Sequence, residues 1–205
     1  MTTRTLRGLY AVTPETLGGA ALYRAAEAAC SGGAVLLQYR NKSRDAALRR
    51  AEADALRAIT TVCGTLFIIN DDVDLARAVG ADGVHVGRDD GDPAAARARL
   101  GSSAIVGVSC YDDPVLARAA QRAGADYVAF GAMFASSTKP AAPPADIGRF
   151  AEAAGLGVAR CAIGGITLER APALIAAGAD LLAVVSDLFD ARDISAQARA
   201  YARLF

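Results

Sequence analysis

The chain contains a single histidine, His85, whose mid-strand place reads as core, and no other is left to serve a Ser-His nucleophile, so that route to catalysis is unpromising. There is no surplus of either charge: 22 basic residues balance 22 acidic ones. No overall field therefore favours nucleic acid or an anionic membrane, and any anion must be held locally. No apolar run reaches the ~18 residues of a membrane span, and Met1 to Leu9 holds no stretch long enough for a signal peptide. These absences predict a soluble, cytoplasmic protein. The four cysteines, Cys30, Cys63, Cys110 and Cys161, form no C-x-x-C pair and have no histidine beside them to complete a metal site. Reduced, packed thiols are expected. Cys110, at a strand end, is the one position where a reactive thiol is weighed against packing.

The sequence has 205 residues, 53% of them hydrophobic, enough for one domain with a large continuous core. A repeat runs through it. Gly80-Ala81-Asp82, Gly124-Ala125-Asp126 and Gly178-Ala179-Asp180 each follow a helical pattern and precede an apolar run, and Gly32-Gly33-Ala34 is a looser copy. Recurring helix-to-strand joints mean repeated βα units. Short apolar runs occur at Leu9 to Val12, Val35 to Tyr39, Leu66 to Ile69, Gly83 to Val86, Ile105 to Val108, Tyr127 to Phe130, Cys161 to Ile163, and Leu181 to Val185. Their spacing of roughly 20 to 35 residues suits one unit each.

Between these runs, Leu48, Ala51, Ala55, Ile59 and Val62 recur at helical steps and predict one apolar stripe. Asp92-Pro93 and Asp113-Pro114 open helices, with Gly101 closing the first; Asp146 or Thr167 is expected to cap later ones. Pro172 is tolerable only in a first helical turn. Runs apolar on both faces, without a glycine-rich dinucleotide fingerprint at Thr13 to Gly19, favour a single closed (β/α)8 TIM barrel over residues 1–205 rather than an open sheet.

In such a barrel the strand ends carry the chemistry, and polar residues collect at one rim. Gln38, Arg40 and Lys42 alternate onto one face after the second run, a grip for phosphate oxygens. Asp71 and one of Asp89 or Asp90 follow the third and fourth runs, beside those cations. Two carboxylates next to a diphosphate grip suit Mg2+, which keeps waters and takes phosphate oxygens. Ser136, Ser137, Thr138 and Lys139 lie in an Ala/Ser/Pro-rich segment of about fourteen residues (132–145), expected to be a mobile lid that brings hydroxyls and a second lysine to phosphate. Gly164-Gly165 and Val185-Ser186 follow the seventh and eighth runs, where barrels commonly seat a phosphate. His85, mid-strand, reads as a buried, hydrogen-bonded residue.

The set Gln38-x-Arg40-x-Lys42, Ile69-Asn70-Asp71, Gly83 to Gly87 with Asp90, Gly107-Val108-Ser109, Thr138-Lys139, Ile163 to Ile166 and Val185-Ser186 resembles thiamine-phosphate synthase, in order and over nearly the whole chain. The resemblance implies a transferase, a thiamine-phosphate diphosphorylase. It joins a hydroxymethylpyrimidine diphosphate to a thiazole phosphate and releases diphosphate with the help of Mg2+. Gln38, Arg40, Lys42, Asn70 and Lys139 would grip the diphosphate, and Ser109 would line the pyrimidine site. Asp71 and Asp90 would hold the metal, while Ser136, Thr138, Gly165, Val185 and Ser186 would seat the thiazole phosphate. Partners are then two small molecules, with no nucleic acid or membrane, and homo-oligomerisation is left open. Arg88 replaces the family's usual glutamine and Ser136 its common threonine, and neither change removes an implied ligand. A related thiazole tautomerase would place a histidine where Cys110-Tyr111 stands, which makes that paralogue the weaker reading. A non-catalytic barrel binding phosphorylated thiamine intermediates would not need Asp71, Asp90 and the cationic row. A general phosphate-site isomerase would not need the grip and the metal together.

Overall fold

Along the first strand Leu9 and Ala11 face one way while Tyr10 and Val12 face the other, yet all four are buried. A strand apolar on both faces must be covered on both, and the chain achieves this by closing on itself. In the computed structural model, which describes residues 6–87, 91–135 and 144–205, eight parallel strands form a closed barrel in sequence order. The elements are β1 (Gly8–Val12), α1 (Gly19–Ser31), β2 (Leu36–Tyr39), α2 (Ala46–Cys63), β3 (Leu66–Asn70), α3 (Val73–Val79), β4 (Gly83–Val86) and α4 (Pro93–Leu100). They continue as β5 (Ile105–Tyr111), α5 (Pro114–Arg122), β6 (Tyr127–Phe130), α6 (Arg149–Glu152), β7 (Ala159–Ile163), α7 (Ala171–Ala176), β8 (Leu181–Val184), α8 (Ser186–Phe189) and α9 (Ile194–Ala202). Closure comes from β1 on β8, with Gly8 opposite Leu181 and Ala11 opposite Val184.

Two cores result. Tyr10, Leu36, Ile68, Ile105, Tyr127, Cys161 and Leu181 fill the barrel interior, while Leu9, Leu37, Phe67, Val84, Val128 and Leu182 meet the helices outside. Gly107 explains how two tyrosines fit within. A Cβ there would lie 1.9 Å from Tyr127 Cζ, so only glycine leaves room for that ring.

The Gly-Ala-Asp repeat has a structural role at the rim where the strands begin. Asp82 Oδ2 accepts the Phe67 N–H at 2.9 Å, Asp126 Oδ2 that of Val106 at 2.8 Å, and Asp180 Oδ2 that of Arg160 at 2.9 Å. Each carboxylate also pairs with an arginine, Arg57, Arg97 and Arg160 respectively. One residue thus ends a helix-to-strand joint, satisfies a backbone donor of the preceding strand and neutralises a cation. These bonds stitch the face away from the functional rim.

Helix openings follow the expected chemistry at Asp92 and Asp113, which accept the N–H of Ala94 at 3.0 Å and of Val115 at 2.7 Å. Pro172 lies in the first turn of α7. Two expectations need correction. Neither Asp146 nor Thr167 caps a helix: Asp146 Oδ1 takes the Gly148 N–H at 2.8 Å in a turn before α6, and Thr167 contributes its carbonyl ahead of α7. The α2 stripe also lies on the wrong side. Leu48 is 44% and Val62 89% exposed, whereas Glu52, Ala53, Leu56 and Thr60 are buried. Hydrogen bonding overrides the hydrophobic period here, because Glu52 Oε2 accepts from the Tyr39 hydroxyl at 2.6 Å and Oε1 from the Gly19 N–H at 2.9 Å. The segment 136–143, most of the expected lid, lies outside the described residues.

Candidate active site

The C-terminal ends of the strands surround a cavity of about 910 Å³. From β2 and just beyond it come Gln38, Arg40 and Lys42, all lining the cavity, while Tyr39 and Asn41 between them turn outward to Glu52. The period-two alternation therefore carries past the strand end. Gln38 is buried, Arg40 part-buried and Lys42 exposed, so the row climbs from the floor to the mouth. The Arg40 N–H donates to Thr13 Oγ1 at 2.9 Å, and its guanidinium pairs with Glu15 from the loop after β1. Glu15 is a site residue that sequence reasoning missed, since nothing in its spacing marks it.

On the neighbouring strand, Asn70 and Asp71 reach the same cavity. Asp71 has a left-handed backbone, φ 65°, and its N–H donates to the His85 carbonyl at 2.8 Å. A non-glycine residue held there is worth noticing, and aspartate is among those that tolerate the conformation. Its Oδ2 accepts from Asn70 Nδ2 at 2.5 Å. Asp72 turns away: it accepts the Leu75 N–H at 2.8 Å as the α3 cap and pairs with Arg49. The two consecutive aspartates thus have separate jobs. Among the described residues no three His, Cys, Asp or Glu side chains come together; Asp71 and the Arg40-paired Glu15 are the carboxylates nearest the cationic row in the cavity lining. Asp89 and Asp90, with Arg88, lie outside the described residues.

Ser109 and His85 both line the cavity, with His85 Nε2 2.8 Å from Ser109 Oγ and Nδ1 2.9 Å from the Tyr127 hydroxyl. His85 is buried and hydrogen-bonded, as the sequence led us to expect. The β5 strand continues beyond the expected end to Tyr111, where its register with β6 shifts, and Tyr111 enters the cavity lining at φ 55°. Cys110 is buried and points elsewhere. Burial, reinforced by Asp113, pushes its thiol up to about 12, so it remains a packed thiol.

On the far side of the barrel mouth, Gly164, Gly165, Val185 and Ser186 line the cavity as expected. Gly165 requires its lack of a side chain: φ is 63°, and a Cβ would lie 2.7 Å from the Ala135 carbonyl oxygen. Two further residues belong to this side. Arg170 Nη1 donates to the Gly165 carbonyl at 2.8 Å while its guanidinium stacks 4.6 Å from the Phe134 ring centroid, bringing an exposed cation to the glycine loop. The Thr167 hydroxyl is buried and finds no partner among the described residues. Asp187, by contrast, is committed to structure. Its Oδ2 accepts from the Tyr201 hydroxyl at 2.6 Å and from Gln197 Nε2 at 2.8 Å, fastening α9 under this rim. Ser136, Thr138 and Lys139 lie outside the described residues.

Residues 9–188 match the family model described as thiamine monophosphate synthase. The chain is 56% identical over 200 residues to the thiamine-phosphate synthase of Chromobacterium violaceum, covering 98% of this chain and 97% of that protein. It is 57% identical over 201 residues to that of Azoarcus sp., covering 98% of each. Among solved structures, it is similar to a thiamine phosphate pyrophosphorylase from Pyrococcus furiosus, with TM-score 0.87, 28% identity, and coverage of 98% of this chain and 96% of that one.

Proposed function

The chain belongs to the thiamine-phosphate synthase family, a family of transferases, and we propose that it joins 4-amino-5-hydroxymethyl-2-methylpyrimidine diphosphate to 4-methyl-5-(2-hydroxyethyl)thiazole phosphate, releasing thiamine phosphate and diphosphate. The observation that carries this reading is one cavity with two separate polar sides. Gln38, Arg40, Lys42, Asn70 and Asp71 stand at β2 and β3, and the Gly164-Gly165 loop and Ser186 stand at β7 and β8. Two phosphorylated substrates that must meet head to head need this arrangement.

Arg40 offers a planar fork and Lys42 a point charge to the departing diphosphate, while Gln38 and Asn70 add amide donors. Glu15 pairs with one guanidinium nitrogen, Arg40 Nη1, and so orients the fork. Lys139 is a further diphosphate cation on this reading. Gly165, Val185 and Ser186 take the thiazole phosphate, with Ser136 and Thr138. The buried Thr167 hydroxyl, which has no partner among the described residues, and the Arg170 cation favour an anion there. Ser109 orients the pyrimidine.

The donor set fits Mg2+. Asp71 presents a hard carboxylate oxygen to the cavity beside the diphosphate grip, and Asp71 with Asp90 would hold the ion while substrate oxygens and water complete its shell. When bound, it supplies positive charge against a leaving diphosphate. The cavity residues then favour a dissociative substitution. The Arg40 and Lys42 charges stabilise the leaving group, the electron-rich aminopyrimidine spreads the charge left on its methylene, and the thiazole nitrogen captures that carbon. No protein nucleophile is used, so positioning and electrostatic stabilisation carry the rate.

The test is diphosphate release by the purified protein with both substrates, with each alone, and with both but no Mg2+. Release that needs all three components, matched by thiamine phosphate, is the expected result. Release without the thiazole phosphate, or none from folded protein, would overturn the reading.

A further inference from the structure

At the floor of the cavity, five side chains from five strands form one unbroken chain of hydrogen bonds. Gln38 Nε2 donates to the Tyr10 hydroxyl at 2.5 Å, Tyr10 and Tyr127 hydroxyls lie 2.7 Å apart, and His85 bridges Tyr127 at 2.9 Å and Ser109 at 2.8 Å. Tyr10 is 1% and Tyr127 0% exposed, so water does not compete. The Tyr127 ring also stacks on His85, with centroids 5.6 Å apart, and stands edge-on to Tyr10 at 5.7 Å. Such a buried network is held only if every proton has a place to go.

Counting protons gives the chain a direction. An amide nitrogen can only donate, so the Tyr10 oxygen accepts from Gln38 and its single proton goes to Tyr127. Tyr127, having accepted, gives its proton to His85 Nδ1. A neutral imidazole that accepts at Nδ1 carries its proton on Nε2, which faces Ser109. Ser109 Oγ then accepts, and its own proton is left for the cavity. Burial holds both tyrosine hydroxyls well above their ordinary titration range, so neither drops out of the count. Turning the Gln38 amide over would reverse every bond in the series.

We propose that Tyr10, Tyr127 and His85 are positioning residues that polarise this chain from Gln38, so that Ser109 meets the substrate as a hydrogen-bond donor. The substrate atom it meets is then an acceptor, such as a ring nitrogen of the heteroaromatic, and not an amino group. The inference deepens the synthase reading and rests on it for the identity of the substrate. It links the diphosphate side of the cavity to the ring-recognition side through His85 at the cavity floor and two tyrosines outside its lining. Sequence analysis placed His85 in the core correctly, and the structure gives it a task there.

The chain's single histidine makes the test direct. Nitrogen NMR of isotope-labelled histidine in the ligand-free protein at neutral pH is expected to show one imidazole protonated on Nε2 and bare on Nδ1. A ring protonated on Nδ1, or on both nitrogens, would overturn the proposal. No substrate is present in that measurement, so its failure is distinct from failure of the synthase reading. In Tyr127→Phe the donor to Nδ1 is gone. The expected result is a mixture of tautomers and a KM for the pyrimidine diphosphate raised about tenfold, with kcat moved much less, as for one lost orienting hydrogen bond. Folded Tyr127→Phe with tautomer and KM both unchanged would also overturn it; if that variant does not fold, the wild-type spectrum alone decides.

Discussion

The Tyr39 hydroxyl donates to Glu52 Oε2 at 2.6 Å, linking the end of β2 to the buried face of α2. Asn41 Nδ2 reaches the same oxygen at 3.1 Å, and the Gly19 N–H takes the other carboxylate oxygen at 2.9 Å. Glu52 is 2% exposed, and it fixes the residues on either side of Arg40. A carboxylate so placed positions the Gln38-Arg40-Lys42 row, the proposed diphosphate grip, from behind.

Glu52→Ala should therefore leave three donors without their acceptor and destabilise the fold by about 2 to 3 kcal/mol, by analogy with other buried polar groups left unpaired. Urea unfolding of the variant measures this. Tyr39→Phe removes two bonds, the one donated to Glu52 and the one accepted from Asn41, and should cost about 1 to 2 kcal/mol. If the two variants were equally stable to wild type, the network would be incidental.

Asp71 and Asp72 are adjacent in sequence and should separate cleanly by experiment. Asp71→Asn keeps a side chain that tolerates the left-handed backbone, so the expected effect is on metal use: weaker Mg2+ binding, read as a higher Mg2+ concentration for half-maximal rate, and turnover lowered at least about tenfold, as for loss of a charge-stabilising group. Asp72→Asn should cost at most about 1 kcal/mol through the α3 cap and its Arg49 pair, with little change in Mg2+ titration. Equal Mg2+ titrations for Asp71→Asn and wild type would remove Asp71 from the metal site.

Gly165→Ala places a Cβ 2.8 Å from Phe134 Cβ and in a left-handed backbone. The loop must shift, so KM for the thiazole phosphate should rise well above that for the pyrimidine diphosphate. Steady-state kinetics with each substrate varied in turn distinguishes this from a general loss of activity. A rise confined to the pyrimidine side would reverse the assignment of the two halves of the cavity.

Alkaline pH should unfold the protein through its buried tyrosines. Burial raises the hydroxyls of Tyr10 and Tyr127 and, with Asp187 beside it, that of Tyr201. The unfolded groups lose their protons near pH ~10 while the folded ones keep theirs, so the unfolded state binds fewer protons there. Stability is complete below that pH and falls as pH rises, by about 1.4 kcal/mol per unit for each such tyrosine. Denaturation midpoints followed against pH, with tyrosinate absorbance as the reporter, check both the sign and the slope. A midpoint unchanged well above the ordinary tyrosine range would contradict it.

How far the fold could be read in advance follows from what each signal depends on. Strand runs, Gly-Ala-Asp joints and proline-led helix starts are local, and they survive in the structure nearly residue for residue. The α2 stripe failed because Leu48 to Val62 satisfies the helical period while the true buried face carries Glu52, and a period counts hydrophobicity, not acceptors for Tyr39 and Gly19. Gln38, Arg40, Lys42, Asn70, Asp71, Ser109, Gly165, Val185 and Ser186 could all be placed at one cavity because strand ends in a parallel barrel must share a rim. Glu15 and Arg170 were not marked, and Thr167 was marked only as a helix cap, since each matters to the site through a partner remote in the chain or, among the described residues, through the lack of one.

The sequence by itself determined the barrel, the polarity of its rim and the cavity-lining row of Gln38, Arg40 and Lys42, because alternation and repeat are properties of neighbours along the chain. Tertiary structure alone decided which of two adjacent aspartates faces the cavity. It also decided which face of α2 is buried, and that Gln38, Tyr10, Tyr127, His85 and Ser109 share one line of protons. Those outcomes depend on distances across the closed barrel, between residues as far apart as Tyr10 and Tyr127, and no spacing along the chain records them.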